Sequence, residues 1–274
     1  MTILLNTLGI VVLLSGLYLF SENKKNINKK MILKALVIQF IIAFILVKFP
    51  LGQMALEKVS DFVTNILSYG SEGLDFVFGS LADGGATTGV VFGIQVLGNI
   101  IFISALVGAL YYMGVIGAVV KVIGGAIGKI LGTSKVESFV AVANMFLGQT
   151  ESPILVSKYL KYMTKSEIML VLISGMGSMS ASVLMGYAGM GIPMQYLLIG
   201  GALVPLGSII VSKLMLPEEK NLDGNIVQEV SIDNKGDNAN ILSAISQGAT
   251  DGLNMVLGIG ASLIAIISLV ALVN

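Results

Sequence analysis

Ser138-Phe139-Val140-Ala141-Val142-Ala143-Asn144-Met145-Phe146-Leu147 is mostly apolar and runs into Gly148-Gln149-Thr150-Glu151-Ser152-Pro153; a second short helical stretch, Ile154 to Lys161, follows. A helix needs about 20 apolar residues to cross a bilayer, and the first run has about half of that. Two half-length helices around a polar Gly-to-Pro elbow make the pattern of a re-entrant hairpin. Irregular backbone at that depth is tolerated only where it lines a cavity or is buried in protein. Glu151 would then sit near mid-membrane, where a carboxylate costs on the order of 2.5–3.5 kcal/mol, so it is a functional-site candidate. The alternative is a surface loop between two amphipathic helices, with Glu151 at an ordinary helix start. The apolar flanks argue for the hairpin.

Outward from the hairpin, the chain reads as a set of spans. Its 274 residues are 55% hydrophobic and 12% charged, with a mean hydropathy of +0.92. A soluble domain keeps roughly a quarter of its residues charged, so lipid is the main solvent here. Apolar stretches at Ile3 to Phe20, Met31 to Phe49, Thr88 to Met113, Ser166 to Tyr187, Pro193 to Leu214 and Ala244 to Val273 predict about six spanning helices. Gly52 to Asp83 differs, with Leu56, Val59, Phe62, Val63 and Ile66 recurring around Glu57, Lys58 and Asp61. That amphipathic spacing suits the interface, or packing against other helices. Val115 to Leu131, carrying Lys121 and Lys129, reads as a second interfacial helix. The fold class is an all-α membrane protein of about six transmembrane helices, a re-entrant hairpin and interfacial helices. Along the chain it divides into a scaffold-like 1–113, a transport-like 114–216, a polar cytoplasmic loop 217–243 and a last span 244–274.

Absent residue types narrow the function. With no His and no Cys, hydrolase triads built on a Ser–His or Cys–His pair are excluded, as are thiolate metal sites and most zinc sites. No catalytic residue is assigned, and a carrier is expected rather than an enzyme. The 16 basic residues are all lysines. With the N-terminus outside, all of them except Lys48 and Lys58 fall on the cytoplasmic side, as the positive-inside rule requires. This predicts a multi-pass protein of the cytoplasmic (inner) membrane, and it requires Ser138 to Tyr162 to enter the membrane and return to the same side.

Two further stretches stand out. Ser174-Gly175-Met176-Gly177-Ser178-Met179-Ser180-Ala181-Ser182 puts small and polar residues at the centre of a span. Such residues lower the cost of unwinding a helix and freeing carbonyls for a cation; they equally permit close helix packing. Gln247-Gly248-Ala249-Thr250-Asp251-Gly252-Leu253-Asn254 opens the last span. It reads as a solvated helix start, with Thr250 and Asn254 in reach of Asp251 and with Gly248 and Gly252 allowing another backbone to approach.

Asn144 to Pro153, Met163-Thr164-Lys165-Ser166-Glu167, Gly175-Met176-Gly177-Ser178, Val183-Leu184-Met185-Gly186-Tyr187, Ile101 to Leu106 and Gly248 to Gly252 together resemble the concentrative nucleoside transporter family, over the whole length of the chain. The resemblance implies an inverted-repeat transporter fold and cation-coupled uptake of nucleosides. It implies that the elbow residues Gly148, Gln149, Thr150 and Glu151 hold the nucleobase. Base selectivity varies in the family at positions matching Gly148, Gln149, Ser182 and Val183, and the combination here is similar to the broad-selectivity members. Sodium is the implied coupling ion, with a proton as the alternative. Its implied ligands are the side chains of Asn144 and Ser178 and the carbonyls of Leu147 and Met179, an all-oxygen set suited to a hard cation. The resemblance also implies a homotrimer in a lipid bilayer; no other cofactor and no nucleic-acid partner are expected. Family members continue past the position of Asn274 with a second hairpin and two more spans. The expectation is a fragment, or a chain completed by another, and the rival reading is a non-transporting membrane scaffold or partial subunit.

Overall fold

The computed structural model describes residues 2–85, 87, 89–146, 157–218 and 238–274, with the side chains of 2–4, 157–159 and 185 set aside. Its helices are α1 (Thr2–Leu19), α2 (Lys29–Lys48), α3 (Pro50–Phe78), α4 (Phe92–Gln95), α5 (Leu97–Tyr112), α6 (Val115–Leu131), α7 (Lys135–Ala143), α8 (Lys165–Gly177), α9 (Ala181–Gly189), α10 (Met194–Met215) and α11 (Ile241–Val273). Short 3-10 stretches lie at Lys24–Asn26, Gly79–Leu81 and Ser157–Tyr162, and no strand occurs among the described residues.

Five helical stretches among the described residues are long and apolar enough to cross a membrane: Lys29–Lys48, Phe92–Tyr112, Lys165–Leu184, Met194–Met215 and Ile241–Val273. A shorter apolar helix covers Leu5–Leu19. These fall on the six apolar stretches read from the sequence. The chain is therefore an all-helical, multi-pass membrane protein.

Local chemistry sets the boundaries. The side chain of Asn28 caps α2 by accepting from the Met31 N–H at 3.1 Å. The same helix stops at Phe49, which is extended (ψ 127°) because the following Pro50 disfavours helical backbone before it. Pro50 in turn opens α3, where a missing N–H costs nothing. α3 is the long amphipathic helix expected over Gly52 to Asp83. Gly52, Ser60 and Gly70 are its buried positions, and Val63 and Leu67 pack on Leu184, Met194 and Leu197. Val59 and Phe62 of the same apolar pattern stay 48% and 64% exposed, so this helix offers apolar surface on more than one side, as lipid contact permits.

The chain forms two compact units, each made of separated pieces. The first comprises Met1–Pro50, Gly117–Met179 and Ile199–Ile232; the second comprises Leu51–Ile116, Ser180–Leu198 and Asp233–Asn274. The first unit has a core of Ile27, Met31, Ile32, Ala35, Leu131, Ala141, Leu170, Leu206, Ile209, Ile210 and Leu214, drawn from α2 and the turn before it, α6, α7, α8 and α10. In the second unit α5 lies between α9 and α11. A Cβ on Gly248 would stand 2.5 Å from the Ser104 carbonyl oxygen, and one on Gly252 would stand 2.9 Å from the Ile101 Cα. α11 therefore crosses α5 backbone to backbone, as the pair of glycines one turn apart predicts.

Candidate functional site

Two helices of the first unit, α7 and α8, are built alike. Each opens with a capping box in which a hydroxyl and a glutamate exchange hydrogen bonds with backbone N–H groups. For α7 these are Ser134 and Glu137; for α8 they are Thr164 and Glu167. The two starts are tied together through Lys213 of α10. Its ammonium pairs with Glu137, approaches the Glu218 carboxylate at 3.1 Å and donates to the Ser166 hydroxyl at 2.8 Å. Thr164 donates its hydroxyl proton to Glu218 at 2.9 Å, and Ser166 donates to the Leu216 carbonyl at 2.6 Å. The side chains of Lys213 and Glu137 are only 5% and 3% exposed. Sequence reading used Lys213 only for orientation and did not single out Glu137. The signals were present: Ser134 and Glu137 at capping-box spacing, and one lysine inside an apolar helix.

The other ends of α7 and α8 are uncharged. α7 stops after nine residues, and Asn144 caps its C-terminus with no exposed surface. The Asn144 amide nitrogen donates to Ser174 Oγ at 2.6 Å, and its Oδ1, fully buried, has no hydrogen-bond partner among the described residues. Ser174 lies on α8 one turn before Ser178. There α8 ends: Ser178 is extended (φ −109°, ψ 164°), its hydroxyl donating to the Gly175 carbonyl at 3.2 Å. Ser180 then caps α9 by accepting from the Val183 N–H at 3.4 Å. The span is thus broken over 178–180 with no proline in it. Glycine at Gly175 and Gly177 and serine hydroxyls that compete for backbone partners are enough to interrupt it.

Helix C-termini carry about half a negative charge and unpaired carbonyls. The ends at Asn144 and Ser178 carry that partial charge without any formal charge of their own, and the Asn144 side chain reaches Ser174, one turn before Ser178. Met179, in the break, is half-buried. Of the remaining positions, Ser182 is buried and pairs with Ser104 hydroxyl to hydroxyl at 2.7 Å in the second unit, and Val183 follows it in α9. Leu147, Gly148, Gln149, Thr150 and Glu151 lie outside the described residues. So do 154–156, the start of the second hairpin arm expected over Ile154 to Lys161; the rest of that arm lies in the stretch Ser157–Tyr162, which is 3-10 rather than α-helical.

Spanning helices, one of them interrupted near its middle, with buried uncharged oxygens at the ends of half-length helices, place the chain among membrane proteins with discontinuous helices. Residues 8–81 match the model for the N-terminus of Na+ dependent nucleoside transporters, residues 93–194 the nucleoside recognition (Gate) model, and residues 196–274 the model for the C-terminus of the same transporters. An uncharacterized transporter of Haemophilus influenzae is 40% identical over 274 residues, which is 100% of this chain and 65% of that protein. The nucleoside permease NupC of Helicobacter pylori is 38% identical over 99% of this chain and 65% of its own length. The solved structure of CNTnw in an inward-facing substrate-bound state superposes with a TM-score of 0.91 at 37% identity, covering 100% of this chain and 67% of that one. This chain belongs to the concentrative nucleoside transporter family. It spans about two thirds of the length of these relatives.

Proposed function

We propose that this protein takes nucleosides across the cytoplasmic membrane, driven by sodium, with its N-terminus outside and three copies assembled together. The observation that carries the reading is Asn144 Oδ1, a buried oxygen without a partner among the described residues, at the end of a half-length helix. An unpaired buried polar atom costs about 1–3 kcal/mol, and a hard cation relieves that cost. Asn144 and Ser178 would supply side-chain oxygens and Leu147 and Met179 carbonyl oxygens, with no formal charge among them. A neutral set binds an ion and also lets it go, as a carrier must.

Gly148, Gln149, Thr150 and Glu151 would hold the nucleobase, the amide and hydroxyl meeting its donors and acceptors, with Ser182 and Val183 setting selectivity. The relative named a nucleoside permease supports this cargo. Residues 114–216 would form the transporting part and 1–113 the scaffold. Ion and nucleoside then strengthen each other's binding by linkage.

Uridine and adenosine uptake into vesicles, with and without a sodium gradient, tests the reading. Uptake should require the gradient, and Asn144→Ala and Ser178→Ala should each raise the sodium concentration needed for half-maximal uptake. Absence of uptake for every nucleoside overturns the cargo; uptake driven by a proton gradient alone overturns the ion.

A further inference from the structure

The Asn144 amide has two ends, and only one of them helps a cation. We infer that Ser174 is the positioning residue that turns the oxygen of that amide, rather than its nitrogen, toward the ion. This rests on the cation reading above.

The inference follows from counting protons. A serine hydroxyl has one hydrogen to give and two lone pairs to accept with. Ser174 Oγ gives its hydrogen to the Val171 carbonyl, 3.3 Å away in the preceding turn of α8, and a carbonyl can only accept. What Ser174 shows to Asn144 is therefore an acceptor. The amide nitrogen faces it at 2.6 Å, so Oδ1 is left at the other end of the group, buried and without a partner among the described residues. Neither residue has any exposed surface, so water does not compete for these bonds. Without the hydroxyl, the amide is free to turn over, and its NH₂ group would then face the cation and oppose it. Ser174 itself donates nothing to the ion. It acts as the outer partners of metal ligands do, by fixing how the ligand is presented.

The test uses the full native polypeptide, purified, and reads melting temperature against sodium concentration, so it does not depend on transport. Ser174→Ala should leave the sodium-free melting temperature near wild type, since it removes one oxygen and opens no large cavity. It should raise the half-saturating sodium concentration about tenfold, the low end for loss of an outer-shell partner. In an Asn144→Ala background, Ser174→Ala should add nothing, because there is no amide left to orient. A sodium curve unchanged by Ser174→Ala but shifted by Asn144→Ala overturns the positioning role alone. So do shifts from the two substitutions that simply add. If Asn144→Ala leaves the curve in place, the cation reading itself fails and takes this inference with it.

Discussion

The starts of α7 and α8 are tied by formal charges, a buried Lys213–Glu137 pair with the partly exposed Glu218 beside it, while their ends carry none and leave one buried oxygen without a partner among the described residues. The same two helices thus meet two different physical demands. Breaking a buried ion pair leaves an uncompensated charge, which makes the charged starts hard to move apart. Under the function proposed above, uncharged oxygens at the other ends would hold a cation through dipoles only, strongly enough to bind it and weakly enough to release it. Fixing the helices by their starts would leave the ends free to serve as ligands.

The largest expected effect breaks the anchored starts. Lys213→Ala strands Glu137 in the interior and should cost about 3–5 kcal/mol, seen as a marked fall in melting temperature and in monodisperse yield. Replacing both partners, as Glu137→Gln with Lys213→Met, should recover much of that loss, because no lone charge remains. An unchanged melting temperature for Lys213→Ala would erase the contrast between the two ends.

A second test puts the question of charge to the elbow. Glu151→Gln keeps the shape and most hydrogen bonds and removes the charge. It should cut nucleoside uptake by more than about tenfold, or roughly 1.4 kcal/mol, with membrane insertion and melting temperature kept. Normal uptake would return Glu151 to an ordinary loop position and confine the functional residues to the neutral ends.

Part of this structure could be read from the sequence, and what could not be has a physical cause. The break at Ser178 is written in a run of glycine and serine, while α10 carries Pro205 and continues for 22 residues as one helix. A proline signals a break only if the surrounding packing does not hold the helix, and packing is not in the sequence; Pro205 is fully buried. A close backbone approach at Gly248 and Gly252 was legible because glycine leaves room for it, but that α5 is the partner was not. The Lys213–Glu137 pair was not, since its partners lie far apart in the chain and each has a local explanation, one in orientation and one in capping. The orientation of the Asn144 amide was also hidden, because it depends on a proton held by a third residue.

The smallest effect is expected at Asp251, a carboxylate whose surroundings are the opposite of those of Glu137. It is exposed on α11, and its partner is Gln247, whose amide donates to Oδ1 at 2.9 Å. The sequence pointed to Thr250 and Asn254 instead, but Thr250 gives its hydroxyl proton to the Ser246 carbonyl at 3.0 Å. Gln247 stands one turn earlier on the same face, which is the spacing at which helical side chains meet. An exposed contact of this kind is worth about 0.2–0.5 kcal/mol, and the packing of α11 on α5 runs through Gly248 and Gly252 on another face. Asp251→Asn should therefore lower melting temperature or assembly slightly and leave the half-saturating sodium and nucleoside concentrations in place. Both are read from the uptake titrations used for Asn144 and Ser178. A shift in either concentration at normal expression would move Asp251 into the transport pathway, and charge would then have a role in ligand binding that the neutral ends of α7 and α8 argue against.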